Sequence, residues 1–160
     1  MGGGQMSLIV GTVVLLAALV LNVNRSLLTS TDQTIEAEAI LAGTSAAQQV
    51  IDLISDKEFD EATIGTYVEN VADFTTPASL GADAGETMST YDDVDDYDGD
   101  SLTVATPRMG NYKAWITVNY VNPASPGTIS GSRTRMKRID VSVYSSYLPD
   151  TLEMSYYASY

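Results

Sequence analysis

The sequence predicts an α+β chain: a long N-terminal α-helix, apolar in its first half and amphipathic in its second, packed on a C-terminal antiparallel β-meander of about four strands. Three observations predict it. Residues 6–23 are apolar but for Ser7, Gly11, Thr12 and Asn22, with no charge before Arg25. No Pro interrupts residues 5–56. Beyond Asp100 the hydrophobic period switches to two, the alternation of a half-buried strand.

The apolar run comes first. As a helix rising 1.5 Å per residue it spans about 27 Å, near the hydrocarbon thickness of a bilayer. Three fates compete: a cleaved secretory signal, a permanent membrane anchor, or a helix that ends in a protein polymer. A secretory signal needs a basic leader and small residues at a cleavage site. Residues 1–5 carry no Lys or Arg, and the run exits through Asn22, Val23, Asn24 and Arg25. For an anchor, positive charge tends to stay in the cytoplasm. Arg25 follows the run, so that rule would leave the acidic remainder inside the cell. A basic leader removed upstream of Met1 reverses the orientation, and the expectation is that the numbering begins at a processed N-terminus.

After Arg25 the pattern is amphipathic. Leu28, Ile35, Ala39, Ala42, Ala46, Val50 and Leu53 recur at helical spacings, with Asp32, Glu36, Gln48, Asp52 and Asp56 supplying much of the other side. One helix of about fifty residues, near 75 Å, is expected, with Gly43 as its weak point. The division is 1–25 apolar helix, 26–56 amphipathic continuation, 57–100 connecting region with an acidic loop, and 101–160 sheet. Within the connecting region Asp60 is placed to cap a short helix through Asn70, with Glu61 in its first turn. Residues 75–85 read as loop from their Pro, Ser, Gly and Ala content.

Four strands are expected. Leu102, Val104 and Thr106 mark the first, and Ala114, Ile116, Val118 and Tyr120 the second. Ile139, Val141 and Val143 mark the third, and Leu152, Met154 and Tyr156 the last. Turns fall at 108–111, 122–132 and 148–150. Short connections favour an antiparallel meander, and the amphipathic half of the helix covers its apolar face.

Composition narrows the chemistry. The chain carries twenty-one acids against eight bases, a net charge of −13, with no Cys and no His. Thiol catalysis, disulfides and zinc–thiolate sites are excluded, as is the commonest general base. Nucleic-acid binding, which demands clustered bases, is disfavoured. Lys57, Lys113 and Lys137 lack a Ser-x-x-Lys context, so an enzyme is not expected. Within residues 92–100, Asp96, Asp98 and Asp100 alternate around Gly99 in the manner of a calcium loop, although the distal Glu of an EF-hand is missing. Calcium at these three residues competes with a solvated acidic loop; no cofactor is otherwise required. Six of the eight bases, Arg108, Lys113, Arg133, Arg135, Lys137 and Arg138, lie in the β-rich part. They could meet the acidic segment of a neighbouring subunit head-to-tail; alternatively the cluster at 133–138 answers acids within its own subunit or is merely solvated. Tyr144, Tyr147, Tyr156, Tyr157 and Tyr160 crowd the end, as interface residues or as alternate sheet positions.

The layout as a whole, with residues 46–61 and 91–99 in particular, resembles type IV pilins and pseudopilins. Position 5 is usually Glu in that family and is Gln5 here, and the Pro many members carry near position 22 is missing. The resemblance implies a leader-processed, often N-methylated subunit of an extracellular filament at the cell surface, held in the inner membrane before assembly. Its implied partners are copies of itself and the pilus assembly machinery, in adhesion or secretion. Its implied assembly positions are Met1 and Gln5, where an acid would meet a neighbouring N-terminal amine. Gly11, Ala17 and Ala18 are small residues that permit close helix approach. The alternative is a minor pseudopilin, or a single-pass anchored adaptor of a secretion or pilus assembly machine.

Overall fold

The computed structural model describes residues 2–160; Met1 lies outside the described residues. The chain is α+β, with one long helix, α1 (Gly3–Ser55), and five strands: β1 (Ser101–Thr106), β2 (Gly110–Asn122), β3 (Ser125–Ile129), β4 (Met136–Tyr144) and β5 (Leu152–Ser159). It divides after Glu38 into two compact units.

The first unit is the helix up to Glu38. It is the one helix among the described residues long and apolar enough to cross a membrane. Its large side chains, among them Leu8, Val13, Leu15, Leu19 and Leu27, are exposed. Leu28 and Ile35, expected on a buried face, are exposed as well. Hydroxyls along the helix donate back to the carbonyl four residues earlier: Ser7 to Gly3 at 3.1 Å, Thr12 to Leu8 at 3.0 Å and Thr29 to Arg25 at 3.0 Å.

The second unit, Ala39–Tyr160, holds the core. Here α1 buries Ala39, Gly43, Ala46, Ala47, Val50, Ile51 and Ile54, a stripe at spacings of three and four. Ala39, Ala46 and Val50 are buried as expected, whereas Leu53 is 43% exposed and the packed face extends instead through Gly43, Ala47, Ile51 and Ile54. Gly43 is a site of close approach within this helix. A Cβ there would stand 3.3 Å from Tyr112 Cε1 and 3.4 Å from Leu148 Cδ1. The Tyr112 hydroxyl donates to the Ala39 carbonyl at 3.0 Å, tying strand to helix at the same place.

The strand order is β1-β2-β4-β5, antiparallel throughout, with β3 paired to β2 off that path. The sheet thus has five strands rather than four, because part of the expected 122–132 turn folds back on β2 through Val121↔Ile129 and Asn122↔Ser125. Across β2 and β4 the inner face pairs Ala114 with Val143, Ile116 with Val141 and Val118 with Ile139. All six are buried. The next pair in that register is Tyr120↔Lys137.

The helix expected over 60–70 does not form; a 3-10 turn, Glu61–Thr63, takes its place. Asp60 caps it in a box, accepting from Ala62 N while Thr63 Oγ1 accepts from Asp60 N at 3.1 Å. Gly65 at φ +63° then turns the backbone out of the helical region, and Thr63, Ile64, Thr66 and Val68 are poor helix formers.

Candidate functional site

A lone parallel bridge, Glu58↔Asp93, organises the polar heart of the second unit. Glu58 N donates to Asp92 O at 3.1 Å and Val94 N to Glu58 O at 2.9 Å. The segment after α1 is thereby laid beside the acidic segment, and both meet the inner face of the sheet at Tyr120 and Lys137.

Lys137 is fully buried, as are Asp60, Asp93, Asp95 and Asp96. The Lys137 ammonium donates to Phe59 O at 2.6 Å, to Asp60 Oδ2 at 2.8 Å and to Asp95 Oδ1. Its three donors are all matched. The rings of Phe59 and Tyr120 lie 4.4 and 4.9 Å from Nζ. Asp60 also accepts from the Tyr120 hydroxyl at 2.8 Å, from Thr75 N at 3.0 Å and from Thr75 Oγ1 at 3.2 Å. Asp95 Oδ2 is buried and has no hydrogen-bond partner.

The two carboxyls that flank Lys137 are driven in opposite directions. Burial pushes Asp60 upward, but the bonds and charge of Lys137, with those of Tyr120 and Thr75, outweigh it and hold the group below its ordinary value. Burial pushes Asp95 up to about 7 despite Lys137, with Asp60 adding to the rise. Asp93 is pushed up to about 8 by burial and then by Asp95 and Asp96. Its Oδ1 accepts from Asp95 N at 2.6 Å and Asp96 N at 3.1 Å, the local turn that fixes the segment.

Residues 93–97 of the acidic segment are interior, whereas Asp92 is exposed and Asp98 and Asp100 are half-buried. Asp96 Oδ2 accepts from Asp92 N and Asp93 N at 3.0 and 3.3 Å. Asp98 Oδ1 accepts from Val118 N at 2.7 Å, and Asp100 Oδ2 from the Tyr91 hydroxyl at 2.7 Å, which raises Tyr91 to about 12. Among the described residues, the carboxylates whose oxygens converge within 4.8 Å are Glu86, Asp92 and Asp96. Of the three residues expected to hold calcium, only Asp96 belongs to that group.

The bases are largely engaged within their own chain. Arg133 and Arg135 donate to Ala72 O at 2.7 Å and Glu69 O at 2.5 Å, and Arg138 pairs with Asp140 at 2.9 Å. The Tyr160 ring packs 5.3 Å from Phe74 and 5.7 Å from Phe59, and its hydroxyl accepts from Val68 N. Tyr157 is exposed.

Of the expected assembly residues, Gln5, Gly11, Ala17 and Ala18 lie exposed on α1, and Met1 falls outside the described residues. Apart from its own turn of helix backbone, nothing among the described residues stands within 4 Å of where a Gly11 Cβ would be.

The Lys137 network was missed at the level of sequence, yet period two carries its signal. Lys137 is two residues before Ile139 and shares its parity with Val141 and Val143. Extending the stripe one step inward puts an ammonium in the core, where it demands carboxylates. Which carboxylates depends on the Glu58↔Asp93 bridge, a pairing that no periodicity announces. No protein family, curated protein or solved structure matches the chain.

Proposed function

We propose that this chain is a structural subunit of an extracellular filament of the type IV pilus class, inserted in a membrane before assembly and polymerising through its N-terminal helix. One observation carries the reading. α1 runs unbroken from a stretch whose apolar side chains are exposed into residues that form the core of a folded α+β head. An exposed run of Leu and Val is comfortable in lipid, where its backbone is already satisfied, or among copies of itself. Gly11, Ala17 and Ala18 permit close approach in the second case. A net charge of −13 favours the solubility of such a polymer.

The test is imaging of purified cell-surface material with mass spectrometry of its components. Fibres with this chain as the bulk component support the proposal. Recovery solely as a membrane-embedded monomer sinks it, and a trace subunit in fibres built of another protein supports a minor, adaptor-like role instead.

A further inference from the structure

The Lys137 site has the composition and contacts of a reaction centre whose substrate is the chain itself. A buried amine touches two buried carboxyls, and the three come from separate parts of the sequence. Asp60 lies just after α1, Asp95 is in the acidic segment and Lys137 is in β4. The two carboxyls are unlike. Asp60 is locked by Ala62, Thr75 and Tyr120 as well as by Lys137, so both of its oxygens are engaged and its position is fixed. Asp95 has one oxygen against Nζ and the other buried with nothing to accept from or donate to. The Phe59 and Tyr120 rings stand over the amine. Water, which would reverse an amide-forming condensation, is kept out by this burial.

We propose that Lys137 Nζ and Asp95 Cγ become joined by an intramolecular isopeptide bond, with Asp60 as the group that takes up the proton. Holding amine and carboxyl in contact replaces a bimolecular encounter and supplies a large effective concentration. The reaction starts from the Lys137 ammonium, the Asp95 carboxylic acid and the Asp60 carboxylate. Asp60 removes one proton from Nζ, and the freed amine pair attacks Asp95 Cγ. The C–N bond forms and a C–O bond of Asp95 breaks. The departing hydroxyl takes a second proton from nitrogen and leaves as water. The amide retains one N–H, and Asp60 ends as a neutral acid. Nothing is oxidised or reduced and no co-reactant is required. The elevated ionisation of Asp95 beside the depressed one of Asp60 matches this division of labour. The product is also uncharged, which relieves the cost of keeping an ammonium and a carboxylate together out of water.

The experiment uses the full-length chain, purified in detergent and digested with trypsin after denaturation. The expected result is a branched peptide containing both Asp95 and Lys137, lighter by one water than the sum of its two parts. Tryptic cleavage after Lys137 should be absent. Asp95→Ala should restore both cleavage and full mass. Asp60→Asn, a near-isosteric change, should leave the two peptides separate in protein whose near-ultraviolet circular dichroism is that of the wild type. The wild-type result decides alone if either variant fails to fold. Folded wild-type protein with Lys137 freely cleavable and the peptides at full mass overturns the proposal. A branch joining Lys137 to Asp60 overturns the assignment of the two carboxyls.

Discussion

The two ends of α1 obey the same helical geometry and meet opposite fates. From Ala39 to Ser55 the helix buries a stripe of small and branched residues against the sheet, and small residues at Gly43, Ala46 and Ala47 let the elements approach. Up to Glu38 bulkier residues point outward on every side. The difference lies in distribution rather than in total hydrophobicity. A stripe one face wide is matched to one protein surface, whereas a segment apolar all round is matched to a surrounding medium. Stability of the head is therefore internal to residues 39–160, and the fate of the first unit depends on what surrounds it.

The sharpest way to break this comparison is to remove residues 1–24. A chain beginning at Arg25 should lose membrane association and filament incorporation entirely while its head melts cooperatively, with the near-ultraviolet circular dichroism of the full-length protein in detergent. A molten, non-cooperative head would show that the two regions are not energetically separate.

Next in size, Lys137→Met should destabilise the head by about 3–5 kcal/mol, because it removes the buried group to which both Asp60 and Asp95 are tied. A Leu15→Ala change on the exposed helix should move the same urea midpoint by less than about 0.5 kcal/mol. Equal effects at the two positions would contradict the division. Gly43→Val should cost the head about 1–3 kcal/mol through overpacking against Tyr112 and Leu148, read as a lowered melting temperature. Gly11→Val, with open space around it, should leave head melting unchanged.

The pH dependence belongs to the head as well. Asp93 sits at about 8 when folded, against an ordinary value of 3.8. A raised value means the folded state holds a proton the unfolded state has released. Its contribution is full below pH 3.8 and is lost as pH rises from there toward 8. Urea midpoints should therefore decline from pH 5 to pH 8, and Asp93→Asn, which keeps the oxygen that caps Asp95 N and Asp96 N, should flatten that slope. A midpoint rising across the interval would refute the burial argument for Asp93.

The smallest effect is expected at Gln5. Gln5→Glu should leave head stability unchanged and filament yield equal or slightly higher, because a neutral amide already hydrogen-bonds where an acid would add charge pairing. Loss of filaments in Gln5→Glu with retention in Gln5→Leu would defeat that account.

Much of this architecture was legible in the sequence because it is periodic. The absence of Pro and the 3.6 period mark α1, and period two marks β1, β2, β4 and β5. β3 escaped because Ser125, Pro126 and Gly127 read as turn and its side chains are nearly all exposed, so no alternation exists to be seen. The acids escaped for the reverse reason. Charge predicts solvent, yet Asp93 and Asp96 turn inward to cap backbone amides around the short 3-10 helix Asp95–Tyr97. Tertiary satisfaction of the backbone leaves no sequence period.

The back-bonded hydroxyls of α1 have a consequence for transfer between media. Ser7 and Thr12 each close their proton onto a carbonyl of their own helix, so they travel as polar atoms already sealed. Moving the segment from lipid to a protein lining, or back, requires no exchange of partners at those two positions. Gln5 carries a side-chain amide with two donors and an acceptor, all facing outward. Any surrounding that receives this helix in dry form must answer that amide. At Gln5 fit is therefore a matter of hydrogen-bond direction as well as of shape.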